Sequence, residues 1–554
     1  MTAVLSAPAP AAPVTRPTRS VPLAVHLVLA ALALVVISLG SHTGLRPYSP
    51  DEGLYSTQVR QLRAGTWQAP AMPLNLDPKW RAQEKSEVFD GTIFTYTKHP
   101  LYPETLAVST RVFGERIGLH APQALGVLIT AWCAAIMAAR WNRRAGPLAL
   151  WLTVASPLSV HTVVVWAHGL GAAAAAVATL MLVDVWQGRR DSRWLTVAGA
   201  SLAVGSLYRS ELLLFAAAAV AADLFESRRW GWRRAGRGVA MLAVPVAVAL
   251  LAEQYWIESI VGSAVPNTTS RAQHTGFVFG RVAGALRSAV GPLEPRPVLM
   301  ASVLVAGAAL LCAVAIRRRD DAKLPLLLMF TALLALWRLG WAPNIELQGL
   351  LVAWPIAIVG LAAIPRRIAS IVPLAVLAGV FTGLVLVTQY AEAGGFEWGG
   401  RFLSPLLGPL AALTAVGLLH LKLTPMAKAA LVITAVVPVL SGMIMTTRFR
   451  TTEDAITSEL EARAPAGLVA TDLHFVSQFA WDEELSGRML TAEPGELPEL
   501  FTDLRRAGVS QVVVLTDPRR AQNEWAAERV SPIAAPEIEA HGAVLLRVEL
   551  DGPS

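Results

Sequence analysis

Two adjacent carboxylates, Asp51 and Glu52, follow directly on the first apolar stretch, Pro22 to Gly40. Ionisable groups are expensive at the edge of a bilayer and mark function there. The run Ser49-Pro50-Asp51-Glu52 also predicts a helix start, with Ser49 as N-cap, Pro50 at N1 and Glu52 closing a capping box. Capping accounts for Glu52 as a structural acid, although it also stands beside the chemistry. Asp51 remains free for a reaction. The positive end of the helix favours its ionised form, which a proton acceptor or a cation ligand must keep. The implied chemistry is attack by an acceptor hydroxyl at the membrane–water boundary, with Asp51 and Glu52 as the catalytic pair.

The next candidates lie in Thr97-Lys98-His99-Pro100-Leu101-Tyr102-Pro103. Lys98 offers three donors and a full charge to an anion such as phosphate, or else its long side chain snorkels to lipid head groups. His99 and Tyr102 are placed to line the same pocket, with a structural histidine as the plainer alternative. Leu207-Tyr208-Arg209-Ser210-Glu211 is a tight turn between apolar stretches. Arg209 and Glu211 there neutralise each other or line a cavity. His161, Trp166 and His168 occupy the neighbouring turn, where two histidines lack a third metal ligand at a recognisable spacing. In Glu397-Trp398-Gly399-Gly400-Arg401-Phe402-Leu403-Ser404-Pro405 the glycines allow close backbone approach to a ligand. Arg401 can fork two bonds to a phosphate. Trp398 stacks on a sugar face or serves as an interfacial aromatic.

These residues must be positioned by membrane-spanning elements. The chain is 54% hydrophobic and 16% charged, unlike an ordinary soluble protein of 554 residues. About thirteen apolar stretches long enough to span can be read. They fall at 21–40, 121–140, 146–163, 165–186, 194–208, 211–226, 238–256, 297–316, 324–341, 349–365, 370–390, 403–421 and 429–447. Basic clusters recur in every second loop: Arg140, Arg143 and Arg144; Arg189, Arg190 and Arg193; Arg228 to Arg237; Arg317 to Arg319; Arg366 and Arg367; Lys422 and Lys428. The loop 342–349, on the other side, has no Lys or Arg. By the positive-inside rule the basic loops are cytoplasmic. The net charge of +7 is therefore topological and does not point to nucleic acid. Residues 1–20, rich in Ala and Pro, read as a disordered cytoplasmic N-terminus, and the first stretch as an uncleaved anchor. Cys133 and Cys312 fall inside spans as packing residues.

Residues 21–447 thus form a transmembrane domain whose first outer loop, 41–120, is long and structured. After Asp51, Tyr55, Val59 and Leu62 keep helical spacing up to Gly65, which predicts an amphipathic helix on the membrane surface. Val88-Phe89-Asp90-Gly91-Thr92-Ile93 predicts a hairpin. Residues 448–554 lose the membrane pattern. Strands at 467–471, 509–515 and 543–548, with a helix at 498–506, predict a small extracytoplasmic α/β domain.

The acidic pair after the first span, the structured first outer loop, Lys98-His99-Pro100-Leu101, and Gly400-Arg401-Phe402-Leu403-Ser404-Pro405 before a late span together resemble the GT-C glycosyltransferases. The resemblance is nearest to family 39, the protein O-mannosyltransferases and the lipid A aminoarabinose transferases. It implies a mainly α, polytopic helix bundle with the C-terminal α/β domain outside. It also implies an inverting transferase that takes a hexose or pentose from a polyprenyl-phosphate donor on the outer face of a bacterial cytoplasmic membrane. Partners would be that donor, membrane lipids, and a lipid, glycan or protein acceptor, with no nucleic acid. Asp51 would serve the acceptor and Lys98 the donor phosphate. Two departures stand out. Some relatives carry an acid before the lysine, where this chain has Thr97, and many carry one after the third span, where it has Trp166-Ala167-His168. No cofactor is certain, and a divalent metal is left open. The rival readings are a polytopic transporter or lipid flippase, and a non-catalytic assembly or sensor protein.

Overall fold

The computed structural model describes residues 21–40, 50–68, 87–89, 92–94, 99–228, 231–261, 277–291, 296–340, 349–365, 370–388, 399–464, 467–473, 488–493, 495–520, 529–540 and 542–550. The expectations for residues 1–20, for Ser49, for the turn Asp90-Gly91, for Thr97 and Lys98, and for Glu397 and Trp398 lie outside the described residues.

The chain is mainly helical, and a helix stands at each apolar stretch read from the sequence. The first part contains α1 (Leu23–Gly40), α2 (Pro50–Arg63), α3 (Leu101–Phe113), α4 (Ala121–Trp141), α5 (Ala145–Val154), α6 (His168–Trp186), α7 (Trp194–Ser206), α8 (Glu211–Ser227) and α9 (Trp232–Val261). There follow α10 (Phe277–Val290), α11 (Arg296–Arg318), α12 (Leu324–Leu339), α13 (Leu350–Ala353), α14 (Pro355–Ala362), α15 (Ile371–Thr388), α16 (Leu407–Leu418) and α17 (Pro425–Arg463). Among the described residues seven helices are long and apolar enough to cross a membrane, and four further apolar helices are shorter. The protein is a multi-pass membrane protein. The count of thirteen is not established, because several stretches are broken: the third, for example, is α5 followed by a 3-10 turn at Pro157–Thr162.

The bundle centres on α6, which packs against α4 and α7. Small residues make this possible. The run Ala172–Ala176 is buried, and a Cβ added at Gly126 would collide with the backbone of Gly169, so only glycine lets α4 and α6 cross there. The first turn of α6, beginning with His168, is thereby pulled into the interior.

Helix α2 corrects one expectation. It begins at Pro50, as its sequence predicts, and ends before Gly65, which takes a φ of +84°. It does not leave its polar residues on one free face, however, as the amphipathic reading implied. Glu52, Leu54, Tyr55, Thr57, Gln58, Val59, Gln61 and Leu62 are all buried, and α2 packs on α3. The hairpin forms as β1 (Glu87–Phe89) and β2 (Thr92–Phe94), paired antiparallel.

Helix α17 is the long element of the structure. Thr424 caps it by accepting from the Ala427 N–H at 3.2 Å, and its 39 residues extend about 58 Å at 1.5 Å per residue. That exceeds a bilayer core of about 30 Å, so its last turns stand clear of the apolar layer. They carry Ile456 and Leu460 onto one face of a five-stranded sheet. The strands are β3 (Val469–Thr471), β4 (Met489–Thr491), β5 (Gln511–Thr516), β6 (Arg529–Ile533) and β7 (Val544–Glu549), in the order β4-β3-β5-β7-β6. The first three in that order run parallel, and β7 and β6 are antiparallel to their neighbours. The helix Leu497–Arg506 covers the other face through Leu500, Phe501 and Leu504. The short strands β4 and β6 escaped the sequence reading. A reporter fused after Leu550 is expected to be active outside the cytoplasm, and cytoplasmic activity would reverse the orientation read from the basic loops.

Candidate active site

The site is assembled where α2, α3, the turn between α5 and α6, the Arg209 turn and the Arg401 turn meet. Tyr55, Val59 and Leu62 of α2 share an apolar cluster with Tyr102 and Leu106 of α3 and with Val164, Val165 and Trp166. This packing fixes the acid-bearing end of α2. Asp51 is the second residue of that helix.

Glu52 is 1% exposed and does not act merely as a cap. Its Oε1 accepts from the Val165 backbone N–H and from Arg450 Nη2 at 3.1 Å, and Oε2 lies 3.4 Å from the same nitrogen. Arg450 also donates to the Val163 carbonyl at 2.6 Å. One buried ion pair therefore ties α2, the turn before α6 and α17 together. Arg450 was missed in the sequence because it lies just past the last apolar stretch. The signal was there: Arg450, Glu453, Ile456, Thr457 and Leu460 continue at helical spacing, and all five are buried. Among the described residues neither oxygen of Glu453 has a hydrogen-bond partner.

Tyr102 is fully buried. Its ring meets Tyr55 edge-on at 4.6 Å and Tyr208 at 6.4 Å, and its oxygen accepts from Gln123 Nε2 at 2.7 Å. Burial, then the neighbouring Tyr55 and Glu52, pushes this phenol well above its usual range, so it stays protonated. His99 turns away to another partner. It takes a φ of +51°, a left-handed conformation, and its Nδ1 pairs with Glu253 of α9 at 2.9 Å.

Beyond Val165 the chain enters a buried aromatic group. The rings of His161 and His168 are 5.1 Å apart, and Trp166 lies 5.7 Å and 5.9 Å from them. Among the described residues both nitrogens of His161 and Nε2 of His168 lack partners. The Arg401 guanidinium stands 5.3 Å from the Trp166 ring. It is aimed there by Gly399 and Gly400, whose φ values of +70° and +61° start the 3-10 turn Arg401–Leu406. Arg209 binds Glu211 through two bonds, Nε to Oε2 at 3.0 Å and Nη2 to Oε1. Both Arg209 and Arg401 act electrostatically on His161.

The structure thus gathers Glu52, Tyr102, His168, Arg209, Glu211 and Arg401, with Asp51 at the start of the docked helix, and sends His99 to α9. Lys98 and Trp398 lie outside the described residues. Among the described residues no three His, Cys, Asp or Glu side chains are grouped to hold a metal ion. The two guanidiniums beside the histidines suit an anion rather than a cation.

Comparison with known proteins bears on this geometry. Residues 97–256 match the family model described as dolichyl-phosphate-mannose-protein mannosyltransferase. No curated protein matches the sequence significantly. The structure is similar to ArnT from Cupriavidus metallidurans bound to undecaprenyl phosphate, with 15% identity, a TM-score of 0.51, and coverage of 96% of this chain and 99% of that one. Oligosaccharyltransferase AglB from Archaeoglobus fulgidus, in complex with an inhibitory peptide and a dolichol-phosphate, is 13% identical at a TM-score of 0.48, covers 89% of this chain and 69% of that one, and is the more distant of the two. Residues 97–256, in the N-terminal half, match the mannosyltransferase family model, and over 96% of its length the chain shares the fold of ArnT, the architecture to which its residues pointed.

Proposed function

We propose that this protein is an integral membrane glycosyltransferase that moves a sugar from a polyprenyl-phosphate donor to an acceptor hydroxyl on the outer face of the cytoplasmic membrane. One observation carries the reading. The bond from the Val165 N–H to Glu52 docks the start of α2 onto the strand of chain that leads to Trp166 and His168, and so beside Arg401. An acid-bearing helix start is thereby held next to a buried cationic pocket. In the reaction the acceptor oxygen attacks the anomeric carbon and gives its proton to Asp51. The bond from that carbon to the phosphate oxygen breaks, with inversion, and the polyprenyl phosphate leaves with the electron pair. Arg401, with Arg209 and Lys98, stabilises the charge on the departing phosphate. Tyr102, kept protonated, and His168 line the pocket, and Glu211 holds the Arg209 fork. Anchoring the lipid tail among the helices brings the sugar in already positioned.

The test is transfer by the purified protein in nanodiscs, with polyprenyl-phosphate sugars offered to hydroxyl acceptors and products followed by mass spectrometry. Arg401→Lys keeps the charge but loses the fork, and is expected to lower turnover about ten- to a hundredfold. Lipid translocation without sugar transfer would favour a flippase. Unchanged turnover in Arg401→Lys would remove Arg401 from the phosphate.

A further inference from the structure

Arg338, in the last turn of α12, is 1% exposed, and among the described residues none of its three guanidinium nitrogens has a hydrogen-bond partner. A buried cation without a counter-charge is among the costliest features a protein can hold. Two further buried donors nearby in the fold share this condition: Ser302 Oγ of α11 and Trp354 Nε1 at the junction of α13 and α14.

Register places Arg338 and Ser302 at the same end of the α11–α12 pair, with Trp354 two residues beyond a side chain that packs there. Helices α11 and α12 pack on each other and are joined by a short turn, so they run antiparallel. Val305 and Ala306 of α11, Leu334 of α12 and Val352 of α13 form one apolar cluster. Ser302 lies one turn from Val305 toward the start of α11. Arg338 lies one turn from Leu334 toward the end of α12, which in an antiparallel pair is the same direction. Trp354 follows Val352 by two residues. This end of the bundle is that of the candidate active site, because a Cβ at Gly399 would stand 3.7 Å from Ala353 and one at Gly400 3.5 Å from Leu350.

All three side chains can donate, and the guanidinium and the indole cannot accept. Their common partner is an acceptor-rich anion. The surrounding surface says how it arrives: Met300 and Val303 of α11 and Leu333 and Leu336 of α12 are exposed on these apolar helices, where acyl or prenyl chains lie. We propose that Arg338, Ser302 and Trp354 form a second anion site, which takes the phosphate head group of a lipid entering between α11 and α12. This site does not depend on the transfer reaction proposed above.

Native mass spectrometry of the full-length protein in detergent tests it, with undecaprenyl phosphate, phosphatidylglycerol and inorganic phosphate as separate probes. Wild type is expected to hold one more copy of one of the two lipids than Arg338→Met does, with affinity at that site weakened at least tenfold by the loss of a charged fork. Arg338→Lys should fall between them. The lipid retained identifies the source of the phosphate. Without lipid, Arg338→Met is expected to melt no lower than wild type, since among the described residues the charge it removes has no hydrogen-bond partner. Equal lipid binding by wild type and Arg338→Met would overturn the site. So would binding dependent on Arg338 that inorganic phosphate alone reproduces, or a lower melting temperature of Arg338→Met without lipid, which would reveal a partner within the protein.

Discussion

Asp51→Asn is expected to lower turnover by about two to four orders of magnitude while leaving donor binding within about twofold of wild type. The substitution keeps size and shape and removes only the charge. Asp51 follows Pro50, the first residue of α2, so it stands at the positive end of the helix, where an ionised carboxylate is favoured. The rest of α2 is held by Tyr55, Val59 and Leu62 against α3, so an asparagine at this position has no packing reason to shift the helix. The loss should therefore appear in kcat and not in the affinity for polyprenyl phosphate. A parallel fall in both would mean that Asp51 orders the site, and turnover equal to wild type would rule it out as the proton acceptor. Single-turnover measurements with saturating donor separate these outcomes.

The membrane bundle was legible because lipid forces the apolar pattern into long unbroken runs, and α1, α4, α11 and α15 start and end close to where those runs do. Pairing across the bundle was not. Helix α2 shows why: its apolar stripe of Tyr55, Val59 and Leu62 reads as one buried face, yet Thr57, Gln58 and Gln61 are buried too. Burying a polar residue is costly without a partner, and Gln58 donates to the Trp67 carbonyl, 3.2 Å away and beyond the helix end. Helix α3 was hidden inside a loop because its stretch is too short and too polar to count as a span. The Arg401 turn was found because two glycines ahead of an arginine let the backbone bend sharply where a charged side chain must be aimed. Arg338 was passed over, since one arginine near the end of an apolar stretch looks like an ordinary interfacial residue until its burial is seen.

The Glu52–Arg450 pair carries the second large expectation, and here structure changes what the sequence implied. As a capping residue, Glu52 replaced by Gln would cost about 1 kcal/mol. As the partner of a buried arginine 398 positions away, its replacement leaves Arg450 charged and uncompensated, which costs about 3–5 kcal/mol. Glu52→Gln retains an oxygen for the Val165 N–H, so the cost isolates the charge pairing. Arg450→Met should be at least as damaging, because it leaves two buried acids, Glu52 and Glu453, without the intervening cation. The double variant Glu52→Gln with Arg450→Met is expected to be more stable than the sum of the single losses, since Glu52 and Arg450 then no longer strand one another, and only Glu453 is left without the cation. Melting temperatures of the four proteins, compared as a double-mutant cycle in one detergent, measure this coupling. The same pair fixes the turn between α5 and α6 through the Val163 carbonyl and the Val165 N–H. Loosening it should therefore lower sugar transfer even at temperatures where the single variants remain folded. Additive losses, or a Glu52→Gln protein as stable as wild type, would reduce Glu52 to a helix cap and separate the last helix from the site.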